Sequence, residues 1–231
     1  MVELARQGDA RLNRVSEQGQ VTPIPSGASI AFAEGFRPQS EAMHAARREA
    51  AELGVVPVSP GSASMLTVLA RMIDAKAVVE IGTGAGVSGL ALFAGMEPNG
   101  VLTSVDSEHE VQAAARRAFL ASQIPNRRFR LIAGQALDVL PKLSDGAYDL
   151  VFINGDHLEF GEYVAQALRL LRHGGVMIVN HALWSNKVAD PDNQEDETIV
   201  IREALSAVQD IEEFTAALTP TGDGMVVAVK S

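Results

Sequence analysis

The fold of this chain is decided by the stretch Ala77–Gly89, whose sequence is AVVEIGTGAGVSG. Its first five residues, Ala77–Ile81, are apolar and mostly β-branched, which is typical of a buried parallel strand. The turn that follows contains three glycines, which let the backbone turn sharply and approach a bound molecule with no Cβ in the way. Apolar residues at helical spacing come next. The stretch therefore predicts a strand, a glycine turn and a helix whose first N–H groups face one crevice.

Two carboxylates beside this turn indicate the kind of ligand. Glu80 lies near the end of the strand, where a pyrophosphate would be repelled and a cationic ligand attracted. A second strand, residues 101–105, leads into Asp106, about 20 residues after the turn, from which a carboxylate can accept both hydroxyls of a ribose. The glycines do not follow the dinucleotide pattern G-x-G-x-x-G cleanly. A positively charged nucleoside fits the turn better than NAD, so a dehydrogenase is the less favoured interpretation.

The motifs E-I-G-T-G-A-G at Glu80–Gly86 and V-D at Val105–Asp106 resemble those of the class I S-adenosylmethionine-dependent methyltransferases. Three later motifs are similar to those of the bacterial branch of the catechol and caffeoyl-CoA O-methyltransferase family, methyltransferase family 3. The resemblance extends from Ala31 to the last residue. The later motifs are Y-D-L-V-F-I at Tyr148–Ile153, Y-V-x-x-A-L-R-L-L-R-x-G-G at Tyr163–Gly175 and A-D-P at Ala189–Pro191.

Composition limits the class of protein. With 231 residues, 47% of them hydrophobic, the chain is long enough for one large α/β domain with a sizeable core. No apolar run reaches about 18 residues, so no membrane span is expected. The absence of cysteine excludes disulfides and cysteine metal sites and favours a cytoplasmic location. A formal net charge of −10 disfavours nucleic acid as a partner.

Strands and helices alternate along the chain, which predicts an α/β fold with a doubly wound, mostly parallel sheet and helices on both faces. The resemblance implies a seven-stranded Rossmann-like sheet with an antiparallel last strand, and residues 214–218 and 225–229 read as an antiparallel pair around a glycine-rich turn. Residues 1–27 are predicted to form an arm that is flexible or docks on a partner, and 28–231 a single methyltransferase domain. The other predicted elements are strands at 77–81, 101–105, 129–133, 148–153 and 176–179, helices at 26–36, 39–53, 62–73, 87–94, 108–123, 136–143, 162–171 and 195–208, and an extended link at 55–61.

Ligands of open parallel sheets bind beyond the carboxyl ends of the strands, where the site residues are therefore sought. The resemblance implies that Glu80 lies under the methionine part of S-adenosylmethionine, that Asp106 holds the ribose and that Asn154 lies between cofactor and acceptor. Ser88 is expected to bond the carboxylate of the cofactor. The expected cofactor-binding residues are Val58, Glu80, Gly82, Thr83, Gly84, Ser88, Asp106, Ser107, Gln135, Ala136 and Asn154.

The metal site of the family has lost its carboxylates in this sequence. The family holds a divalent cation with an aspartate ending the fourth strand and an Asp-Asn pair ending the fifth, and the matching residues here are Asn154 and Asn180-His181. Magnesium prefers anionic oxygens, and amides are poor zinc ligands. We expect no divalent metal, although Asp156 is near enough in sequence to swing in.

Without a metal, another group must take the proton of the acceptor hydroxyl. His157 falls near the position where the family carries a lysine thought to act as base, and His181 follows the neighbouring strand. A neutral imidazole is available at cellular pH. The candidate catalytic residues are therefore His157, His181 and Asn154, while the alternative is that each histidine merely fills a polar loop. Trp184 and Phe160 either form an aromatic wall for a flat acceptor or pack a dimer surface or the core.

Two functions remain open at this point. The first is an S-adenosylmethionine-dependent O-methyltransferase that acts on a small hydroxylated, aromatic acceptor without the usual metal. The second is a catalytically degenerate protein that binds S-adenosylmethionine or S-adenosylhomocysteine and serves as a sensor or partner subunit. The resemblance also implies a homodimer.

Overall fold

The computed structural model describes residues 24–231. Residues 1–23, and with them most of the predicted arm 1–27, lie outside the described residues, so the arm stays a prediction. The chain divides into two compact units, one ending at Ala33 and the other comprising Glu34–Ser231. Gly27, the last residue of the predicted arm, is the first residue of helix α1, Gly27–Glu34.

The strands of the described chain form one seven-stranded sheet. They are β1 (Ala77–Ile81), β2 (Val101–Asp106), β3 (Phe129–Ala133), β4 (Tyr148–Ile153), β5 (Leu171–Asn180), β6 (Phe214–Thr219) and β7 (Met225–Lys230). Their order is β3-β2-β1-β4-β5-β7-β6, and β7 is antiparallel to both of its neighbours, whereas the other neighbours are parallel. The predicted fold class, a mostly parallel Rossmann-like sheet with an antiparallel last strand, is confirmed.

Helices of the unit Glu34–Ser231 cover both faces of this sheet. They are α2 (Glu41–Glu52), α3 (Pro60–Met72), α4 (Val87–Gly95), α5 (His109–Ala121), α6 (Ala136–Val139), α7 (Phe160–Leu170) and α8 (Asp196–Asp210). Successive residues of β4 show the two layers: Leu150 and Phe152 belong to a core with residues of α3, α4 and α5, while Val151 and Ile153 pack with residues of α7 and α8. No helix in residues 24–231 combines the length and the apolar character needed to cross a bilayer.

Helix α3 begins two residues earlier than predicted, at Pro60 instead of Ser62. Ser59 is its N-cap, and its side chain accepts a hydrogen bond from the Ser62 N–H. Proline suits the first position of a helix because its missing N–H would have no partner there. The predicted extended link 55–61 is therefore wrong in its last two residues.

Prolines and glycines also change two other predicted elements. The predicted helix 136–143 ends at Val139 and continues as a 3-10 turn, Leu140–Lys142, that contains Pro141. Gly174 and Gly175, which precede the predicted strand 176–179, lie at an irregularity inside β5, because Leu171 already pairs with Tyr148 before the regular register begins. Strand β5 is thus longer than the predicted 176–179.

Candidate functional site

A cleft of about 400 Å³ opens where β1, β2, β4 and β5 end at their carboxyl edge. Most of the predicted site residues line it. These are Val58, Gly82, Thr83, Gly84, Ser88, Asp106, Asn154, His157 and His181. Trp184, Ser185 and Asp223 complete one side of the cleft. Ser107, Gln135 and Ala136 are not among the lining residues, and their roles stay predictions.

The glycine turn after β1 forms the floor of the cleft. Gly82 has a φ of +88°, and a Cβ there would lie 2.2 Å from the backbone oxygen of Asn154. Gly86, also at positive φ, is the N-cap of α4 and provides no side-chain cap for its first N–H groups. The floor is therefore bare backbone, and the amino end of α4 offers N–H groups and a partial positive charge to a ligand carboxylate.

The carboxylate of Asp106 is held in a fixed direction at the end of β2. Its Oδ2 accepts a hydrogen bond of 2.9 Å from the Gly84 N–H, and its Oδ1 accepts one of 2.9 Å from the Glu108 N–H. Each oxygen keeps a further lone pair. A carboxylate ordered in this way on the wall of the cleft can accept the hydroxyl groups of a ribose.

Glu80 lies beneath the turn and is fully buried, so it is not part of the cleft wall. The hydroxyl of Ser104 donates to its Oε2 at 2.6 Å, and its buried Oε1 has no hydrogen-bond partner among the described residues. Burial is the main cause that raises the pKa of Glu80 to about 7. The negative charge of Asp106 contributes to this rise, and the hydrogen bonds of Ser104 and Ser88 act against it. An unpartnered carboxylate oxygen under a glycine floor fits a positively charged ligand above it.

Thr83 uses its side chain to fix the turn. Its hydroxyl lies 2.7 Å from the hydroxyl of Ser104 and accepts a 3.3 Å hydrogen bond from the Gln112 side chain. The same Gln112 amide donates to the backbone oxygen of Ile132 on β3. Thr83 therefore presents its backbone, and not its hydroxyl, to the cleft.

The asparagines at the ends of β4 and β5 bond to each other. Asn180, which is 2% exposed, donates from Nδ2 to Oδ1 of Asn154 at 2.8 Å. Asp156 does not supply a carboxylate here, since its Oδ1 accepts the Leu158 N–H at 3.0 Å. Within residues 24–231, no group of three or more His, Asp or Glu side chains is arranged to hold a metal ion. Oδ1 of Asn180 is buried and has no hydrogen-bond partner among the described residues, but two neutral amides do not supply the anionic oxygen ligands that Mg²⁺ prefers.

The two candidate bases lie together beside an indole ring. The ring of His157 packs on Trp184 with centroids 4.1 Å apart, and it is 5.5 Å from the ring of His181. Burial, aided by the nearby His181, lowers the pKa of His157 below its ordinary value. His157 is therefore held neutral.

Asp223 was not predicted as a site residue. Its Oδ2 lies 3.0 Å from Nδ1 of His181. The sequence marked residues 220–224 only as a turn between β6 and β7, and the one available signal was a carboxylate flanked by two glycines. Nothing local indicated that this turn reaches the end of β5.

Comparison with known proteins gives one family match and many relatives. The model of the O-methyltransferase family matches residues 37–231. A Mycobacterium tuberculosis protein named "Probable O-methyltransferase Rv1220c" is 42% identical over 212 residues, which cover 92% of this chain and 95% of the relative. A relative from Mycobacterium avium is 40% identical over 212 residues, with 92% and 96% covered.

Solved structures share the fold over most of both chains. A Corynebacterium glutamicum protein superimposes with a TM-score of 0.82 at 29% identity, covering 87% of this chain and 94% of the other. The O-methyltransferase TomG of Streptomyces achromogenes, solved with S-adenosylmethionine, gives 0.79 at 24% identity, with 90% and 97% covered. An O-methyltransferase from Bacillus cereus, solved with S-adenosylhomocysteine, gives 0.79 at 22% identity, with 90% and 98% covered.

Proposed function

We propose, from the premise that this chain belongs to the O-methyltransferase family, that it methylates a hydroxyl group of a small aromatic acceptor without a divalent metal. The family and the S-adenosylmethionine-dependent enzyme class predicted from the sequence motifs are confirmed by the family match and the named relatives. The acceptor, the absence of a metal and the roles of individual residues are the proposed part.

The observation that carries the proposal is that two chemically different sets of residues, the two walls, line one cleft. On one wall, the glycine floor and the fixed carboxylate of Asp106 suit the nucleoside and amino-acid parts of S-adenosylmethionine. Buried Glu80 lies beneath and favours the positive charge of the ligand. On the other wall, His157 and His181 offer imidazoles to a hydroxyl that must lose its proton.

The acceptor binds against the histidines and Trp184. The indole ring and the His157 ring, packed against it at an interplanar angle of 47°, provide an aromatic surface for an aromatic acceptor. Asn154, which follows β4, lines the same cleft, and its backbone oxygen lies next to Gly82 of the glycine floor. One of the two imidazoles takes the hydroxyl proton while the methyl group passes from the sulfonium to the oxygen.

The paired amides support a reaction without a divalent cation. Oδ1 of Asn154 is already engaged by Asn180. The carboxylate of Asp223, which also lines the cleft, has both oxygens engaged, one by His181 and one by the Ser185 N–H, so neither is free to replace the water shell of Mg²⁺. The acceptor hydroxyl must therefore be activated by a protein side chain.

The test is methyl transfer from labelled S-adenosylmethionine to a panel of catechols and phenols, with and without EDTA. We expect labelled product on at least one acceptor and the same rate after EDTA treatment. Calorimetric titrations with S-adenosylhomocysteine should show saturable binding, and titrations with Mg²⁺ or Ca²⁺ should show none, whether or not S-adenosylhomocysteine is present.

Each part of the proposal has its own contrary result. Saturable Mg²⁺ binding, or loss of turnover in EDTA, contradicts the metal-free reaction. Binding of S-adenosylhomocysteine without methyl transfer to any acceptor favours the degenerate binding protein instead. Failure to bind both S-adenosylmethionine and S-adenosylhomocysteine contradicts the assignment of the cleft as the cofactor site.

We also propose a cytoplasmic homodimer that does not bind nucleic acid. The net charge of −10 supports the absence of nucleic-acid binding, and the lack of cysteine in the sequence supports the cytoplasmic location. Light scattering on the purified protein measures its mass, and a monomer of 24.5 kDa would contradict the dimer.

A further inference from the structure

The turn between β6 and β7 places a carboxylate against His181. Oδ2 of Asp223 lies 3.0 Å from Nδ1 of His181, and Oδ1 of Asp223 accepts a 2.7 Å hydrogen bond from the Ser185 N–H. Both oxygens of the carboxylate are thus engaged. A carboxylate can only accept hydrogen bonds, so Nδ1 of His181 must carry a proton.

This turn is fixed on both sides of the aspartate. The backbone of Asp223 and Gly224 accepts hydrogen bonds from the Leu183 and Ala182 N–H groups at 2.9 and 3.1 Å. The Gly222 N–H donates to Glu34 at 2.9 Å.

Neither flanking glycine has room for a side chain. A Cβ at Gly224 would lie 2.6 Å from the backbone nitrogen of Leu183, and one at Gly222 would lie 2.3 Å from the hydroxyl of Ser62. Because the turn is packed and hydrogen-bonded in this way, Asp223 is ordered before any ligand binds.

The two histidines therefore differ in what they offer the acceptor. His181 lines the cleft with its Nδ1 proton committed to Asp223, and within the described chain its Nε2 has no hydrogen-bond partner. In His157 the Nε2 atom is itself buried, and the ring is packed against Trp184. In its neutral form, His181 has a free lone pair of defined direction on Nε2, whereas His157 serves as part of the aromatic wall.

We propose that Asp223 is the positioning residue of a His181–Asp223 dyad in which Nε2 of His181 is the base, an inference that rests on the proposed methyl transfer. The acceptor oxygen forms a bond to the methyl carbon as the carbon–sulfur bond breaks, and the electron pair of that bond stays on sulfur. The hydroxyl proton passes to Nε2. The imidazolium that results is stabilised by the carboxylate of Asp223.

The test combines a spectroscopic and a kinetic measurement on Asp223→Asn. The amide oxygen still accepts the Ser185 N–H, but the amide NH₂ now faces Nδ1, so His181 must carry its proton on Nε2 and lose its lone pair there. In ¹⁵N-histidine NMR of the S-adenosylhomocysteine complex, wild-type His181 should be protonated on Nδ1 and the variant on Nε2. The kcat for methyl transfer to catechol should fall at least about 100-fold, while the Kd for S-adenosylhomocysteine changes less than about twofold.

A matched control and a second variant separate this role from a general loss of charge. Asp192→Asn removes an exposed carboxylate from the neighbouring loop and should change neither the His181 signals nor kcat. His181→Gln should reduce kcat as much as Asp223→Asn.

Two results would overturn the dyad. One is a wild-type His181 protonated on Nε2, a measurement that needs no variant and no acceptor. The other is an Asp223→Asn protein with wild-type kcat. If the wild type binds no S-adenosylhomocysteine or methylates no acceptor, the proposed function fails, and the NMR of the free protein still decides the dyad.

Discussion

Replacing Glu80 by glutamine should change how the stability of this protein depends on pH. Glu80 is fully buried, and one of its oxygens has no hydrogen-bond partner among the described residues. Burial raises its pKa from 4.5 to about 7 in the folded protein. Between these two values the folded state keeps a proton that the unfolded chain releases. The stabilising contribution of this proton is complete below pH 4.5, the pKa of the unfolded chain, and is lost as the pH rises through about 7, the pKa of the folded protein.

The magnitude follows from the size of the rise in pKa. At about 1.4 kcal/mol per pKa unit, the free energy of unfolding of the wild type loses about 3 kcal/mol to this one group across the window. Glutamine does not titrate, so the free energy of unfolding of the variant loses no such contribution. The altered hydrogen bond to Ser104 adds a cost to the variant, but that cost does not depend on pH.

Urea denaturation of wild type and Glu80→Gln from about pH 4 to about pH 8, without ligand, measures this difference. The free energy of unfolding of the variant, relative to the wild type, should rise by about 3 kcal/mol over that range. Glu52→Gln, which removes an exposed carboxylate at the end of α2, controls for the loss of one negative charge. If the curves of wild type and Glu80→Gln run parallel, Glu80 has no raised pKa in the folded protein and the burial argument is refuted.

Three further substitutions test the two walls of the cleft. Gly82→Ala should lower the free energy of unfolding by at least about 3 kcal/mol in urea titrations, because its Cβ would meet the Asn154 carbonyl as well as strain the backbone. Gly146→Ala, at positive φ in open space, should cost only the strain, about 1 to 2 kcal/mol, and equal costs would contradict the clash. Asp106→Ala should weaken S-adenosylhomocysteine binding at least about 10-fold by calorimetry, and unchanged affinity would remove the ribose assignment. Trp184→Ala should raise the KM for catechol about 10-fold with a smaller change in kcat, while an unchanged KM would place the acceptor elsewhere.

The sequence was informative wherever local rules decide the structure. The run of β-branched residues and glycines at 77–89 predicted strand, turn and helix to within one residue. The rule that parallel strands end at one edge brought Asp106, Asn154 and His181 into the same cleft. These predictions needed only periodicity and the direction of the strands.

The rest could not be predicted because it depends on contacts between distant parts of the chain. Asp223 reaches His181 only because β7 is inserted between β5 and β6, which the spacing of the hairpin does not reveal. Glu80 looked like a cleft residue from its place near the end of β1, but its side chain turns to Ser104 beneath the floor. The amide bond between Asn154 and Asn180 likewise forms across two strands.

The strand order has a consequence for how this scaffold can be re-engineered. The nucleoside wall is built from β1, β2 and their connections, whereas the histidines, the indole and Asp223 all come from residues 154–223, on the other half of the sheet. Each wall is thus encoded by one continuous segment of the chain. Replacing the second segment by that of a relative offers a route to a new range of acceptors, while the segment that holds the methyl donor stays unchanged.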